Sequence, residues 1–126
     1  MPATPDRPIT EAKAELFKAL GHPARVRVLE LLAEGEQSMG QLAQQSGLEL
    51  SHLSQHVTVL RRAGIVDSRR VKNTVICALR DPQTAELLAV ARRLLTRNLR
   101  QGQALLAALE GAGDAVAPAD TDREPA

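Results

Sequence analysis

The stretch GLELSHLSQHVTVLRRAGIVDSRR, residues 47–70, decides the fold. Apolar residues recur at spacings of three, four and three, at Leu50, Leu53, Val57 and Leu60. On a helix these side chains form one stripe, which is predicted to bury against a core. The opposite face is polar throughout. Two interpretations fit that face, contact with DNA and an ordinary solvated surface, and the neighbouring sequence must distinguish them.

The polar face of this helix carries hydrogen-bonding groups rather than the Glu and Lys that usually coat a surface helix. Short amide and hydroxyl groups approach base edges and phosphates closely. The side chains of this stretch that are predicted to contact DNA are Ser51, His52, Ser54, Gln55, His56, Thr58, Arg61 and Arg62.

Composition limits what the chain can be. At 126 residues it is predicted to form one domain with one modest core. Phe17 is the only aromatic residue, so the core must consist of Leu, Val, Ile and Ala, which favours helices. Without aromatic platforms, base-stacking contact with single strands has little support. The expected nucleic acid is therefore double-stranded DNA.

Charge is distributed unevenly along the chain, although the formal net charge is only +1. Residues 21–80 hold eight Lys or Arg against five Asp or Glu, a net charge of +3. Residues 110–126 hold one Arg against five acidic residues, a net charge of −4. An acidic tail thus masks a basic body.

The compartment is predicted from what the sequence lacks. Cys77 is the only cysteine, which excludes an intramolecular disulfide. No secretory leader is recognised, and no apolar run approaches the ~18 residues of a membrane span. The expectation is a cytoplasmic protein without a membrane partner.

Helix-ending signals divide the chain into a lead at residues 1–8, a folded domain at 9–110 and a disordered acidic tail at 111–126. Thr10 is predicted to cap a first helix that ends at Gly21, and His22 with Pro23 opens a second. A capping box of Ser38 and Gln41 opens a third helix. The polar-faced helix is the fourth, and together the last two predict a helix-turn-helix.

A basic hairpin is predicted directly after the polar-faced helix. Two β-prone runs, Ile65–Val66 and Thr74–Leu79, flank a basic segment that is interpreted as the tip of a wing. Cations there reach phosphates or the minor groove beside a helix in the major groove. The wing residues predicted to contact DNA are Arg69, Arg70, Lys72 and Asn73.

A long final helix is predicted from Asp81–Pro82 to about Glu110. Its apolar residues recur in a heptad pattern and form a seam along the helix. This apolar seam is longer than one small core can bury. The helix is therefore predicted to pair, together with the first helix, with a second copy of the chain. An intramolecular core helix is the alternative. The predicted interface residues are Leu16, Leu20, Leu88, Ala91, Leu95, Asn98 and Leu105.

Over roughly residues 15–99 the sequence resembles the ArsR family of bacterial winged-helix regulators. Three motifs carry the resemblance: Leu20-Gly21-His22-Pro23-Ala24-Arg25, Leu42-Ala43 and Leu60-Arg61-Arg62-Ala63-Gly64. The family implies a mainly α winged helix-turn-helix of order α-α-α-α-β-β-α with a small β-hairpin. It also implies a homodimeric repressor on a palindromic operator. Glu49 and Thr58 depart from the family pattern, so no operator sequence is carried over.

Few residues of this sequence could form a metal or redox site. Family members often place Cys or His ligands in the third or last helix, but neither helix has any in this sequence, so no cofactor or metal is predicted. His52 and His56 have the spacing of a two-imidazole site, although DNA contact or packing against the wing is the alternative. His22 is predicted to serve the start of the second helix. Cys77 is either a redox switch or a small strand hydrophobe.

Two functions fit these features of the sequence. The first is a DNA-binding transcriptional regulator, expected to be a repressor released by an unidentified signal. The alternative is a winged-helix protein-interaction module without DNA. No nucleophile–base pair or phosphate-binding glycine loop is recognised, so an enzyme is not predicted.

Overall fold

A computed structural model describes residues 8–111 of the chain. The predicted lead and acidic tail lie outside the described residues except at their boundaries, Pro8 and Gly111. The elements in order are α1 Ile9–Leu20, α2 Pro23–Leu32, β1 Gln37–Ser38, α3 Met39–Ser46, α4 Leu50–Arg62, β2 Val66–Val71, β3 Thr74–Leu79 and α5 Gln83–Gly111. The mainly α class with a small antiparallel sheet is confirmed.

The sheet has one strand more than the predicted hairpin. Its order is β1-β3-β2, with β3 paired to both neighbours in antiparallel register. The predicted order α-α-α-α-β-β-α is therefore corrected to α-α-β-α-α-β-β-α. β1 is only two residues long, so no alternation marks it in the sequence. Pairing of Gln37 with Cys77 and of Ser38 with Ile76 defines it.

Local capping chemistry sets most helix boundaries. The capping box at α3 is confirmed: the Gln41 backbone N–H donates to Ser38 Oγ at 3.1 Å, and the Ser38 N–H donates to Gln41 Oε1 at 2.9 Å. Gly47 ends α3 at φ +76°, a left-handed conformation that favours glycine. The prediction for α1 is wrong, because the helix begins at Ile9 after Pro8 and Thr10 lies within its first turn.

One apolar cluster holds the first part of the chain together. Its fully or nearly fully buried members come from helices α1 to α4, from strands β2 and β3, and from the turn before β2: Ala19, Leu20, Val28, Leu29, Leu31, Leu32, Leu42, Leu53, Val57, Leu60, Ile65, Val66 and Cys77. Leu50 was predicted to join this stripe, but 58% of its surface is exposed. It lies in the first turn of α4, before the helix reaches the core.

The turn at the tip of the wing is shorter than the sequence indicated. Only Lys72 and Asn73 connect β2 to β3, and Lys72 adopts φ +56°. Arg69 and Arg70 were predicted in the tip, yet both lie in strand β2, opposite Ile76 and Val75. Ladder pairing reaches Val71–Thr74, which leaves a two-residue turn.

The described chain divides into two compact units, the first ending at Leu88 and the second beginning at Ala89. The first contains the apolar cluster, the sheet and the start of α5. The second consists of the remainder of α5, whose apolar side chains are largely exposed, Leu95 at 64% and Leu105 at 62% among them. Among the described residues, no helix has the length and apolar character to cross a membrane.

Candidate nucleic-acid interface

Helix α4 has a buried apolar face and an exposed, mainly polar face. Leu53, Val57 and Leu60 bury against the core, which fixes the rotation of the helix about its axis. The predicted contact residues are then exposed, except His56 and Thr58, which are half-buried. Ser51, His52, Ser54, Gln55, Arg61 and Arg62 all belong to the exposed set. The geometry therefore presents these side chains outward on one rigid element.

Two of the polar side chains on α4 already have partners within the protein. Thr58 Oγ1 donates to the Ser54 carbonyl oxygen at 2.8 Å, so its hydroxyl offers only lone pairs to an incoming group. His52 Nδ1 lies 3.7 Å from Glu49 Oε1 at the start of the helix. Ser54 and Gln55 side chains have no such partner within residues 8–111, which leaves them available to a ligand.

His56 packs against the start of α2, not against the wing as one interpretation expected. Its ring centroid lies 4.5 Å from that of His22, with the planes tilted by 49°. Arg25 Nη1 is 3.4 Å from His56 Nδ1, and because a guanidinium only donates, that nitrogen accepts as a neutral imidazole. His22 Nδ1 in turn accepts from the Ala24 N–H at 3.1 Å, which confirms its predicted role at the helix start.

Arg25 joins three segments of the fold through contacts that its motif did not indicate. Its Nε donates to the Ala19 carbonyl at 2.6 Å and its Nη2 to the Lys18 carbonyl at 3.4 Å, so one side chain joins the end of α1 to α4 through His56. The arginine is part of the matched family motif, but its partners lie as far as 31 residues away. Only the fold brings them together.

Stability should fall in mild acid because of His56. Burial first, then the charges of His22, Arg25 and His52, hold the pKa of His56 below its ordinary value of 6.5. The unfolded chain then binds this proton more readily than the folded protein, so the free energy of unfolding declines as pH falls below 6.5. His56→Gln should flatten that decline, measured as denaturation midpoints between about pH 7 and pH 5.

A matched control for that experiment is His52→Gln, since His52 is exposed on the same helix and has the smallest effect on the pKa of His56 among these charges. This variant should keep most of the acid sensitivity. A His56→Gln protein that loses stability in acid as steeply as the wild type would contradict the prediction.

The two arginines of strand β2 differ in their surroundings. Arg69 makes a two-point ion pair with Glu36, at 3.0 Å to Oε1 and 2.8 Å to Oε2. This contact lowers the pKa of the Glu36 carboxyl. Arg70 is exposed and has no ion pair within the described part of the chain, and Lys72 and Asn73 at the turn are exposed as well. Considering the described residues alone, Arg70 and Lys72 are thus the wing cations without an ion pair.

A polar depression lies where the end of α4 meets the base of the wing. Arg80 donates to Asp67 Oδ1 from Nε at 2.9 Å and from Nη2 at 2.8 Å. This ion pair forms one wall of the depression. Arg61 and Arg62 line the other, together with Thr58, Val66 and Ser68. Gly64 at φ +77° lets the Arg80 guanidinium approach, because a Cβ there would lie 3.1 Å from it. The Arg80–Asp67 pair was not predicted.

Cys77 lies in the core of the sheet. Its side chain is fully buried, and Sγ is 3.5 Å from Met39 Sδ. Burial raises the pKa of the Cys77 thiol, against a smaller opposing effect of Arg61. Because a thiolate is the reactive form, both features favour the packing interpretation over the redox switch.

Residues 22–68 match the family model for bacterial regulatory proteins of the arsR family. The uncharacterized HTH-type transcriptional regulator Rv0081 of Mycobacterium tuberculosis is 50% identical over 110 residues, 86% of this chain and 96% of that protein. The chain belongs to the ArsR family. This ArsR-family protein is also 41% identical over 75 residues to the biofilm growth-associated repressor of Xylella fastidiosa, covering 60% of this chain and 66% of the relative.

Solved structures agree with the fold of the ArsR-family protein. The crystal structure of M. tuberculosis Rv0081 superposes with a TM-score of 0.70 at 52% identity, covering 76% of this chain and 97% of that one. The solution structure of the homodimeric winged helix-turn-helix DNA-binding domain of Mb0332 from Mycobacterium bovis gives 0.70 at 26% identity, covering 80% and 95%. The winged helix-turn-helix is therefore confirmed.

This ArsR-family protein is a DNA-binding transcriptional regulator. The family is one of regulators and not a class of enzymes. Nothing in the comparisons favours the alternative of a winged-helix protein-interaction module. Helix α4 is the polar-faced helix that was predicted to contact DNA, and we call it the reader. The β2–β3 hairpin is the predicted wing.

The residues predicted for dimerisation divide by exposure. Leu20 is buried within its own chain at the end of α1, which leaves it little surface for contact with a second copy. Leu88 packs partly against the same core. The remaining members of the predicted set, Leu16, Ala91, Leu95, Asn98 and Leu105, reach the surface.

Among residues 8–111, no group of three or more His, Cys, Asp or Glu side chains is placed to hold a metal ion. His52 and His56, the two-imidazole candidate, point to different neighbours: His52 to Glu49 and His56 to His22 and Arg25. Neither α3 nor α5 holds a Cys or His.

Proposed function

We propose that this protein is a homodimeric repressor that binds a palindromic operator. The exposed polar face of α4 carries this proposal. Ser54 and Gln55, whose side chains have no partner within residues 8–111, can enter a major groove, while Arg70 and Lys72 of the adjacent wing hold flanking phosphates. Each copy then supplies one reader and one wing to a half-site.

Exposed apolar surface supports the proposal that the protein binds a second copy of itself. On α1, Ile9 and Phe17 expose 71% and 57% of their surface, and the second unit exposes Leu95, Leu99 and Leu105 by more than 60% each. Apolar surface of this kind is stabilised by burial against a partner. The named relative Mb0332 is a homodimer in solution, which supports the same assembly for this chain.

Selection from random duplexes tests the operator. The proposal expects an inverted repeat whose half-sites are centred about 10–11 base pairs apart or a multiple of that spacing, bound by two chains. Mass measurement of the complex gives the number of chains. A preferred sequence without two-fold symmetry, or a complex containing one chain, would contradict it.

The two arginines of β2 should contribute unequally to phosphate binding. Arg70→Ala removes a free cation and should reduce the slope of log affinity against log salt by about 0.9 for one lost phosphate contact. Arg69→Ala should change the slope less, because Glu36 already neutralises that guanidinium. Fluorescence anisotropy over a salt series measures both. Equal slope changes would show that Arg69 leaves Glu36 on DNA.

The release signal is proposed to act without a metal in α3 or α5, since those helices supply no imidazole or thiolate. Operator binding places the protein in the cytoplasm, with the DNA. Elemental analysis of natively purified protein tests the first statement. One equivalent of bound zinc or copper per chain would overturn it.

A further inference from the structure

The second unit carries a dense positive charge that the proposed function does not use. Between Glu86 and Glu110, α5 contains four arginines, Arg92, Arg93, Arg97 and Arg100, and no acidic residue. All four are exposed. None of them has an ion pair with another residue in the range 8–111. We call these four side chains the arginine face.

Helix geometry gathers the arginine face on one side. Arg93, Arg97 and Arg100 follow the i, i+4, i+7 pattern, and with Arg92 and Thr96 they line one open depression. At 3.6 residues per turn this side lies opposite the heptad seam through Leu95 and Leu105. Burial of the seam against a second copy would leave the arginine face open. Like charges at these spacings repel and destabilise a helix, so an anionic partner would stabilise it.

The chain itself contains a matching anion. Residues 112–126 lie outside the described range and contain four acidic residues against one Arg. The acids are Asp114, Asp120, Asp122 and Glu124. This segment follows Gly111 directly, so it is covalently tethered to the helix that bears the arginine face.

Chain length permits the contact. Asp120 lies nine residues beyond Gly111 and so reaches up to about 30 Å. Arg100 lies eleven residues before Gly111, about 16 Å back along a helix that rises ~1.5 Å per residue, and Arg93 about 27 Å. A short tether also raises the local concentration of the acids to roughly millimolar. The tail can therefore cover the face without help from a second molecule.

We propose that the acidic segment 114–124 binds the arginine face of the same chain and keeps it from DNA phosphates. An uncovered face would add sequence-independent attraction to any duplex, because counterion release rewards each neutralised phosphate. With the segment in place, the four arginines of α5 no longer compete with the cations of α4 and the wing for phosphates. The segment thereby sharpens discrimination between operator and bulk DNA.

A spin label tests the contact directly. Thr121→Cys in the full chain places a nitroxide in the acidic segment, while the buried Cys77 is shielded from the reagent. At low salt the backbone amides of residues 92–100 should broaden, and high salt should restore them. Replacing Arg93, Arg97 and Arg100 with Gln should abolish the broadening. Unbroadened amides in the wild type would overturn the proposal.

Mixed samples identify whose segment is bound. When spin-labelled chains without isotope are mixed with ¹⁵N chains without a label, broadening of residues 92–100 should be weak, because the contact lies within one chain. Broadening as strong as in a chain that carries both the spin label and ¹⁵N would overturn the same-chain contact.

Binding to random-sequence duplex tests the consequence. Neutralising the four acids, with Asn at 114, 120 and 122 and Gln at 124, should steepen the salt slope by as much as about 3.6, or 0.9 for each of four freed cations. The same neutralisation in the Arg93→Gln, Arg97→Gln, Arg100→Gln background should have little effect. An equal change in both backgrounds would mean that net charge alone acts, and would overturn the proposal.

Discussion

Replacing Ser54 and Gln55 together with alanine should lower operator affinity by roughly 100-fold or more, because a good base contact is worth about 1–3 kcal/mol. Both side chains are exposed on α4, and neither is needed by the core. Helix formation should be unaffected, since alanine favours helices. Titration of a labelled operator, obtained by selection from random duplexes, measures the loss.

The same double variant should bind random-sequence duplex almost as well as the wild type, because that affinity comes from phosphate contacts by Arg70 and Lys72. Gln101→Ala with Gln103→Ala is a matched control, since both glutamines are exposed on α5. Unchanged operator affinity in the Ser54, Gln55 variant would remove α4 as the reader. An equal loss on random duplex would mean that these residues hold the backbone rather than bases.

Leu53→Ala should lower the free energy of unfolding by about 2–5 kcal/mol, the range for a buried leucine that leaves a cavity. Leu53 is completely buried, and with Val57 and Leu60 it attaches the reader to the core. Denaturant titration at one fixed protein concentration measures the change, because an oligomer's stability depends on concentration.

Leu50→Ala provides the comparison within the same helix. Leu50 lies three residues earlier and is 58% exposed, so its removal should change the free energy of unfolding by no more than about 0.5 kcal/mol. A large loss in the Leu50 variant would show that a second copy or another segment covers this side chain in solution. Equal losses in both variants would contradict the burial pattern of α4.

Periodicity predicted the parts of the fold that depend on neighbours three or four residues away. The stripe of α4 beyond its first turn, the capping box at Ser38 and the glycine that ends α3 are of this kind, because their contacts are local in sequence. Leu50 satisfies the same period and yet is exposed. A period gives the direction of a side chain, but only the core shows how far along the helix burial extends.

Contacts between distant residues could not be predicted. Strand β1 exists only because β3 pairs with it. The Glu36–Arg69 pair joins residues 33 positions apart. The sequence gives no sign of this pair, and Arg69 was therefore predicted to be a free cation of the wing. His56 likewise meets His22 and Arg25 across the fold rather than the wing beside it. The DNA-contact assignments remain predictions, since they depend on a duplex as well as on the chain.

The division of α4 into a buried stripe and an exposed polar face also bears on how such regulators diversify. Leu53, Val57 and Leu60 hold the helix, while Ser51, Ser54 and Gln55 can be exchanged without disturbing packing. A gene duplicate could therefore acquire a new operator through a few surface substitutions, at little cost in foldability. The same property makes the exposed face of α4 a suitable place to redesign sequence preference while the scaffold is kept.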